Sequence, residues 1–323
     1  MNFNTIKNIT IPEGSVVKIT DPNGIVLWQK ESEPIVTTAT PMYFENVDSV
    51  PVEICIYADD MFNNPVTLET STDGDVWEIW GTTYEEGSLV RQVQVGEKLY
   101  IRATENVGTF NTTGWDNLFK STGNVNVGGN IMSLIYKDFK DKTILTTTNT
   151  FFHLFYNMST LLSVKDLLLP ATQLTDYCYA GMFKGCTSLA EAPSLPATQL
   201  EKQCYREMFI GCTSLTKTPS TLPATELTDY CYASMFRGCS SLTEAPALPA
   251  TQLADYCYIQ MFYGCTNLNK VTTYATDISA SVALDQWLYD VSPTGDFYNL
   301  GSATYPSGSS GIPSGWTEHK TLE

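Results

Sequence analysis

Apolar positions recur along the chain with two different spacings. Residues 42–128 alternate apolar and polar through VEICIYA, VTLETS, VWEIW, LVRQVQV, KLYIRAT and NVNVGG, each run bounded by turn residues. A period of two predicts strands, and several short strands in a row predict a small all-β sandwich. Two further alternating runs in residues 1–32 flank Asp21-Pro22-Asn23-Gly24, a hairpin signal, and ESEPIVTTATP forms a linker over 33–41. From Leu169 onward the spacing lengthens to four: Leu174, Cys178 and Met182 are four apart, and Tyr179, Met182, Phe183 and Cys186 extend the same set. That spacing predicts one short helix, ending at Gly185 in a left-handed residue. Leu189 and a short extended segment bounded by Pro193 follow.

This unit is repeated. Copies begin at Leu169, Leu195, Leu222 and Leu248, and the marker prolines Pro170, Pro196, Pro223 and Pro249 are spaced by 26, 27 and 26 residues. One helix and one strand in such a period is the pattern of a leucine-rich-repeat solenoid, in which stacking buries a face that no single repeat covers. The expected fold class is therefore mixed α/β: a short N-terminal β-hairpin unit, a small sandwich and a C-terminal solenoid. FFHLFYNMSTLLSV, Phe151 to Val164, reads as a degraded copy inside an N-terminal cap over 129–168, with Phe155 in the place of Phe183. The repeats span 169–273, and a C-terminal cap and tail span 274–323, where Trp287, Leu288 and Val291 are placed to cover the last open face.

Charge narrows the function classes. The net charge is −17. Residues 1–160 carry 20 acids and 10 bases, residues 161–270 carry 9 and 7, and residues 271–323 carry 6 and 1. No basic stripe is present, which speaks against nucleic acid as a partner. No apolar run has the ~18 residues of a membrane helix, which speaks against membrane insertion. The start, MNFNTIKNITIPEG, shows no Sec signal, so the protein is expected either to work without Sec export or to have lost a signal lying upstream; Leu322-Glu323 reads equally as native or as a vector-derived end.

Candidate chemistry is sparse. Eight of nine cysteines form pairs eight apart, Cys178/Cys186, Cys204/Cys212, Cys231/Cys239 and Cys257/Cys265, with Cys55 alone. With only His153 and His319 to join them, they are expected to be buried thiols rather than a metal site or disulfides. His153 falls between Phe152 and Leu154 and reads as core. Asp59-Asp60 and Glu85-Glu86 read as solvated loop charges, and no nucleophile motif is present, so the chain is expected to be no enzyme and to need no cofactor. Ser71-Thr72-Asp73-Gly74-Asp75-Val76-Trp77 resembles the Asp-box hairpins of sialidases, which are structural turns. Positions that change from copy to copy mark a candidate binding surface: Arg206, Glu207, Ile210, Arg237, Ile259, Gln260 and Tyr263 on the expected helix, and Glu191, Lys217, Glu244 and Lys270 near the expected strand. Tyr263, Ile210 and Ile259 beside Arg237 would form an apolar-aromatic patch of the kind that dominates interfaces.

The string LPATQLADYCYIQMFYGCTNL from Leu248 to Leu268 resembles the BspA-like leucine-rich repeats, in a variant found in gut Bacteroidales and their crAss-like phages. The tail Gly311-Ile312-Pro313-Ser314-Gly315-Trp316-Thr317 resembles the closing segment of that variant, and the likeness covers about residues 130–317. Residues 1–32 resemble short N-terminal segments of virion proteins, an attachment segment in that case. The resemblance implies a phage virion protein, tail-associated or receptor-binding, whose repeats recognise a host-surface protein or glycan or contact other virion proteins. The alternative is a bacterial cell-surface adhesin; a glycan-acting enzyme built on the sandwich is a third class. A homo-oligomer is compatible with either binding role, although no coiled-coil heptads argue for one.

Overall fold

The computed structural model describes residues 17–20, 26–30, 38–58, 66–83, 87–110 and 118–321, in two units, Met1–Thr37 and Thr38–Glu323. Asp59-Asp60 and Glu85-Glu86 lie outside the described residues. In the first unit, β1 (Val17–Thr20) and β2 (Val26–Lys30) pair antiparallel, with Val17 opposite Lys30 and Ile19 opposite Trp28.

The second unit begins with eight strands in two sheets. They are β3 (Met42–Asn46), β4 (Val52–Ala58), β5 (Thr67–Ser71), β6 (Glu78–Thr82), β7 (Gly87–Val93), β8 (Lys98–Ala103), β9 (Phe119–Ser121) and β10 (Val125–Asn130). One sheet, in the order β10-β3-β8-β5-β6, is extended on the β10 side by β11 (Leu161–Leu168); the other is β7-β4-β9. Their apolar faces share a core, and Phe44 of β3 meets Phe119 of β9 at 5.1 Å between ring centres. The β10–β11 pairing is parallel and carries the sheet directly into the repeats. Polar groups at this junction are satisfied: buried Ser133 donates to Ile101 O at 2.9 Å and accepts from Met42 N–H at 3.0 Å.

The repeats correct the expected fold class. Among the described residues there is no α-helix, only the 3-10 turns Ile131–Leu134 and Phe139–Asp141. The four repeats hold no regular strand before β12 (Lys270–Thr273), only single parallel bridges such as Glu191 with Lys217 and Glu244 with Lys270. The described residues are thus nearly all strand and turn, and the mixed α/β leucine-rich-repeat solenoid of one helix and one strand per repeat is overturned.

The physical reason lies in the backbone of the segments expected to be helical. Within the first repeat Tyr177, Gly181 and Gly185 have φ of 57°, 60° and 78°, so every fourth residue is left-handed. Overlapping turns result. Ala180 N–H donates to Tyr177 O at 3.1 Å, Met182 to Tyr179 O at 3.3 Å and Lys184 to Gly181 O at 3.0 Å. The intervening N–H groups point out of the layer. Tyr179 donates to Cys204 O at 3.0 Å, Gly181 to Arg206 O at 2.8 Å and Phe183 to Met208 O at 2.9 Å. Among the described residues six such layers stack, at 149–157, 177–185, 203–211, 230–238, 256–264 and 282–290, with positive φ at the first, fifth and ninth residue of each. An α-helix turns by about 40° beyond a full circle every four residues, so a strict period of four held for twelve residues drifts off a helical face. The run of turns keeps that period in register.

Stacking these layers aligns identical side chains. Phe155, Phe183, Phe209, Phe236 and Phe262 form a column with ring centres 5.4–5.6 Å apart. Phe155 also stacks on Phe119 at 5.7 Å, so the column grows out of the two-sheet core. Phe151, Tyr179, Tyr205, Tyr232 and Tyr258 form a second column, at 5.7–6.1 Å. Trp287, itself buried, closes it at 6.4 Å from Tyr258 and donates its Nε1 to Gly311 O at 2.9 Å. On the other side of the coil β12 continues through β13 (Gly295–Asn299) to β14 (Trp316–His319), all parallel.

Candidate functional site

The run of turns holds its backbone constant while some outward side chains change, and these line up because each layer lies over the last. The column Tyr156, Lys184, Ile210, Arg237, Tyr263 and Tyr289 runs along its outer edge. Arg237 is exposed, lies 4.8 Å over the Tyr263 ring and donates to Gln260 Oε1 at 3.0 Å. Gln260 donates onward to Gln286 Oε1 at 3.0 Å, and Tyr263 stacks on half-exposed Tyr289 at 4.8 Å. Tyr263, Arg237 and Gln260 are therefore brought together. Ile210 and Ile259 are half-buried.

One layer group earlier, Glu207 is the focus. Lys184 Nζ sits 2.7 Å from one carboxylate oxygen and Arg206 Nη2 3.0 Å from the other. Burial alone would raise the Glu207 carboxyl, but the Lys184 hydrogen bond and charge, with Arg206, outweigh it and hold the group below the usual range. Arg206 also donates to Gln203 Oε1 at 2.6 Å. Arg206, Glu207 and Lys184 thus form a triad that fixes each member in place.

The remaining four candidates neutralise one another elsewhere on the coil. Glu191 pairs with Lys217 at 3.6 Å and Glu244 with Lys270 at 2.7 Å, each across adjacent layers. They join the layers rather than present unpaired charge.

Sequence reasoning missed Tyr230 and Tyr256, which stack at 4.4 Å and 3° between ring planes on the same run of turns, and it missed Tyr289. The available signal was phase: Tyr230 and Tyr256 are one repeat apart, as are Tyr263 and Tyr289. Side chains one period apart meet in a stack of layers. Two stacked tyrosine pairs, a guanidinium and a row of amides offer flat apolar faces edged by hydrogen-bonding groups. Surfaces of that kind hold ligands by packing and hydrogen bonds.

The other candidate chemistry resolves into structure. Asp73 accepts from Ser71 Oγ, Asp75 N–H and Val76 N–H, each at 2.9 Å, so its carboxylate is consumed by its own turn. The backbone donors hold that carboxyl below the usual range. His153 is buried between the rings of Phe152 and Tyr156, at 3.9 and 4.7 Å. His319 pairs with Asp296 at 2.7 Å. None of the nine cysteines is in a disulfide, and the eight in the repeats are buried. Cys186, Cys212, Cys239 and Cys265 each donate to the phenylalanine carbonyl of the preceding layer, at 3.0–3.1 Å. Among the described residues no group of three or more His, Cys, Asp or Glu side chains is placed to hold a metal ion. Comparison of the chain with family models, with curated proteins and with solved structures gave no match.

Proposed function

We propose that the protein is a non-enzymatic virion protein of a phage, tail-associated or receptor-binding, that recognises a host-surface ligand through the outer face of its turn layers. The observation that carries this reading is the alignment of Arg206, Arg237, Gln260 and Tyr263 with the stacked tyrosine pairs on a backbone that is otherwise repeated without change. Side chains that vary on an invariant frame are where a repeat array carries specificity. The sequence resemblance of the repeats and tail to proteins of gut Bacteroidales and their phages supplies the biological setting. The β1–β2 unit serves attachment in this reading, and the two-sheet region holds the turn layers away from the particle.

The test is binding of the full-length protein to intact Bacteroidales cells beside a variant with Arg206, Arg237 and Tyr263 all replaced by alanine. Loss of about tenfold or more in affinity is expected, since central aromatic and arginine contacts carry most interface energy. Equal binding by the two proteins removes the turn face from the function.

A further inference from the structure

The two sides of the repeat stack end at different heights. On the strand side the parallel pairing continues from β12 through β13 to β14. On the turn side the last layer among the described residues is 282–290, and of those residues only Ser309–Gly311 lies over its second half. Leu288 N–H donates to Ser309 O at 3.0 Å, Gln286 N–H to Ser310 Oγ at 3.0 Å and Trp287 Nε1 to Gly311 O at 2.9 Å. Among the described residues the first half has no such cover.

In the layers below, the inter-layer donors of that first half are all used. Tyr177 donates to Lys202 O, Gln203 to Asp229 O, Tyr230 to Asp255 O and Tyr256 to Ser281 O, at 2.9–3.2 Å. In the next column Tyr179, Tyr205, Tyr232 and Tyr258 do the same, at 3.0–3.1 Å. Val282 and Leu284 stand next in these two columns, and among the described residues neither N–H has an acceptor. Leu284 is only 7% exposed. An unpaired backbone donor in such a place is uncommon in a folded protein. A notch of about 390 Å³ adjoins the two donors, lined by Ile278, Ala280, Val282, Leu284, Pro306 and Asp285 among others. Val282 is 42% exposed and sits at φ 53°, a conformation that a β-branched residue rarely adopts.

The surrounding charge is one-sided. No lysine or arginine lies between Val271 and Gly295, while that stretch carries Asp277, Asp285 and Asp290, of which Asp285 lines the notch; Asp296 and Glu318 beyond it are paired with His319 and Lys320 on the strand side. Asp277, Asp285 and Asp290 are exposed.

We propose that this notch docks an extended basic peptide segment of a partner protein, which adds the half-layer that the chain itself leaves out. Two carbonyls of the segment accept from Val282 and Leu284 N–H, as the carbonyls of each following layer do below. An apolar side chain between them enters the notch, and flanking lysine or arginine side chains meet Asp285 and its acidic neighbours. Strand addition of this kind takes affinity from main-chain bonds and specificity from alternate side chains. The site adjoins the end of the ligand face proposed above, where Val282 continues the column of Tyr230 and Tyr256, but it uses other groups and does not depend on that reading.

The experiment uses the full-length protein and two synthetic peptides, acetyl-Lys-Val-Lys-Val-Lys-amide and acetyl-Glu-Val-Glu-Val-Glu-amide. Residue-resolved amide hydrogen exchange is followed by NMR as each is added. The basic peptide is expected to slow exchange at Val282 and Leu284, with an affinity that falls as salt rises. Asp285→Asn is expected to weaken it about two- to fivefold, the scale of one exposed charge pair. Val282→Gly, which keeps the donor and relieves the backbone, is expected to retain binding. Unchanged exchange at both amides with the basic peptide in large excess overturns the proposal. So does equal protection by the acidic peptide, or binding that is indifferent to Asp285→Asn.

Discussion

Ser234→Gly distinguishes a run of left-handed turns from a helix by sign. Ser234 is the fifth residue of its layer, with φ 54°, and its position is occupied by Gly181 in the first repeat. A non-glycine residue pays about 1–2 kcal/mol to stand in the left-handed region. Glycine stands there without that cost but loses about 0.5–1 kcal/mol more conformational entropy on folding. The balance predicts stabilisation of about 0.5–1 kcal/mol. In a helix the same change would destabilise by about 0.5 kcal/mol, because glycine is the poorer helix former. The Ser234 hydroxyl has no hydrogen-bond partner among the described residues, so no contact is lost to confuse the sign. Urea unfolding is the assay, read as a midpoint that rises while the slope stays constant. The opposite substitution sharpens the test. A Cβ added at Gly181 would come 2.2 Å from His153 Cδ2, on a φ of 60°, so Gly181→Ala is expected to cost about 2–4 kcal/mol. A midpoint that falls for Ser234→Gly with an unchanged slope refutes the turn geometry.

Three further outcomes follow from the same layers. The hydroxyls of Tyr179 and Tyr205 are buried without a partner, so Tyr179→Phe and Tyr205→Phe are expected to leave stability unchanged or raise it by up to about 1 kcal/mol, whereas a loss above 1 kcal/mol in calorimetry would reveal a bridging water. Burial pushes the Cys178, Cys186, Cys257 and Cys265 thiols up to about 12 and the other four repeat thiols up as well. Each folded thiol then keeps its proton where the unfolded one loses it, so their contribution is whole below pH about 9 and falls as pH rises, by about 1.4 kcal/mol per pH unit per thiol. A steep alkaline unfolding transition above pH 9 is expected by circular dichroism, with the eight thiols unreactive to thiol reagents until it occurs; stability flat to pH 11 would contradict their burial. Trp287→Ala, which uncaps the tyrosine column, is expected to cost about 3–5 kcal/mol and to speed hydrogen exchange first in 256–264; uniform exchange along the stack would count against the capping role.

The sequence made the order of the chain legible and hid the shape of its unit. The period, the degraded first copy and the closing tryptophan could all be read, because each reflects which side chains must be buried next to one another. Phe155 does stack on Phe183, at 5.5 Å. A period of four over one repeat is close to 3.6, and only the ninth position is regularly marked by glycine, at Gly185, Gly211, Gly238 and Gly264, where a helix end reads the same way; the first and fifth positions are mostly other residues. Tyr177, Gln203, Glu207 and Val282 occupy such positions as readily as Gly181 does. Here inter-layer hydrogen bonds overrule the local preference of the residue. In the candidate face, Arg237 and Tyr263 were legible as variable positions, but the pairing of Glu191 with Lys217 required knowing that neighbours in space are one period apart. The tyrosine pairs were hidden for the same reason.

The direction of the inter-layer bonds has an electrical consequence. In an ordinary strand successive peptide groups point opposite ways and their dipoles cancel. In the turn layers one set of peptides is folded back within the layer, and the other set, at Tyr179, Gly181 and Phe183 and their counterparts, donates toward the C-terminal layer every time. Those dipoles add. The stack of turns is therefore polarised along its axis, as a helix is, with its positive pole at the layer that holds Val282 and Leu284. Exposed Asp285 and Asp290 stand at that pole. Every repeat gained or lost in such a protein moves the two poles further apart or closer together, while the field at each tip is set by its last layer, so repeat number changes the reach of the column and not the polarity it presents.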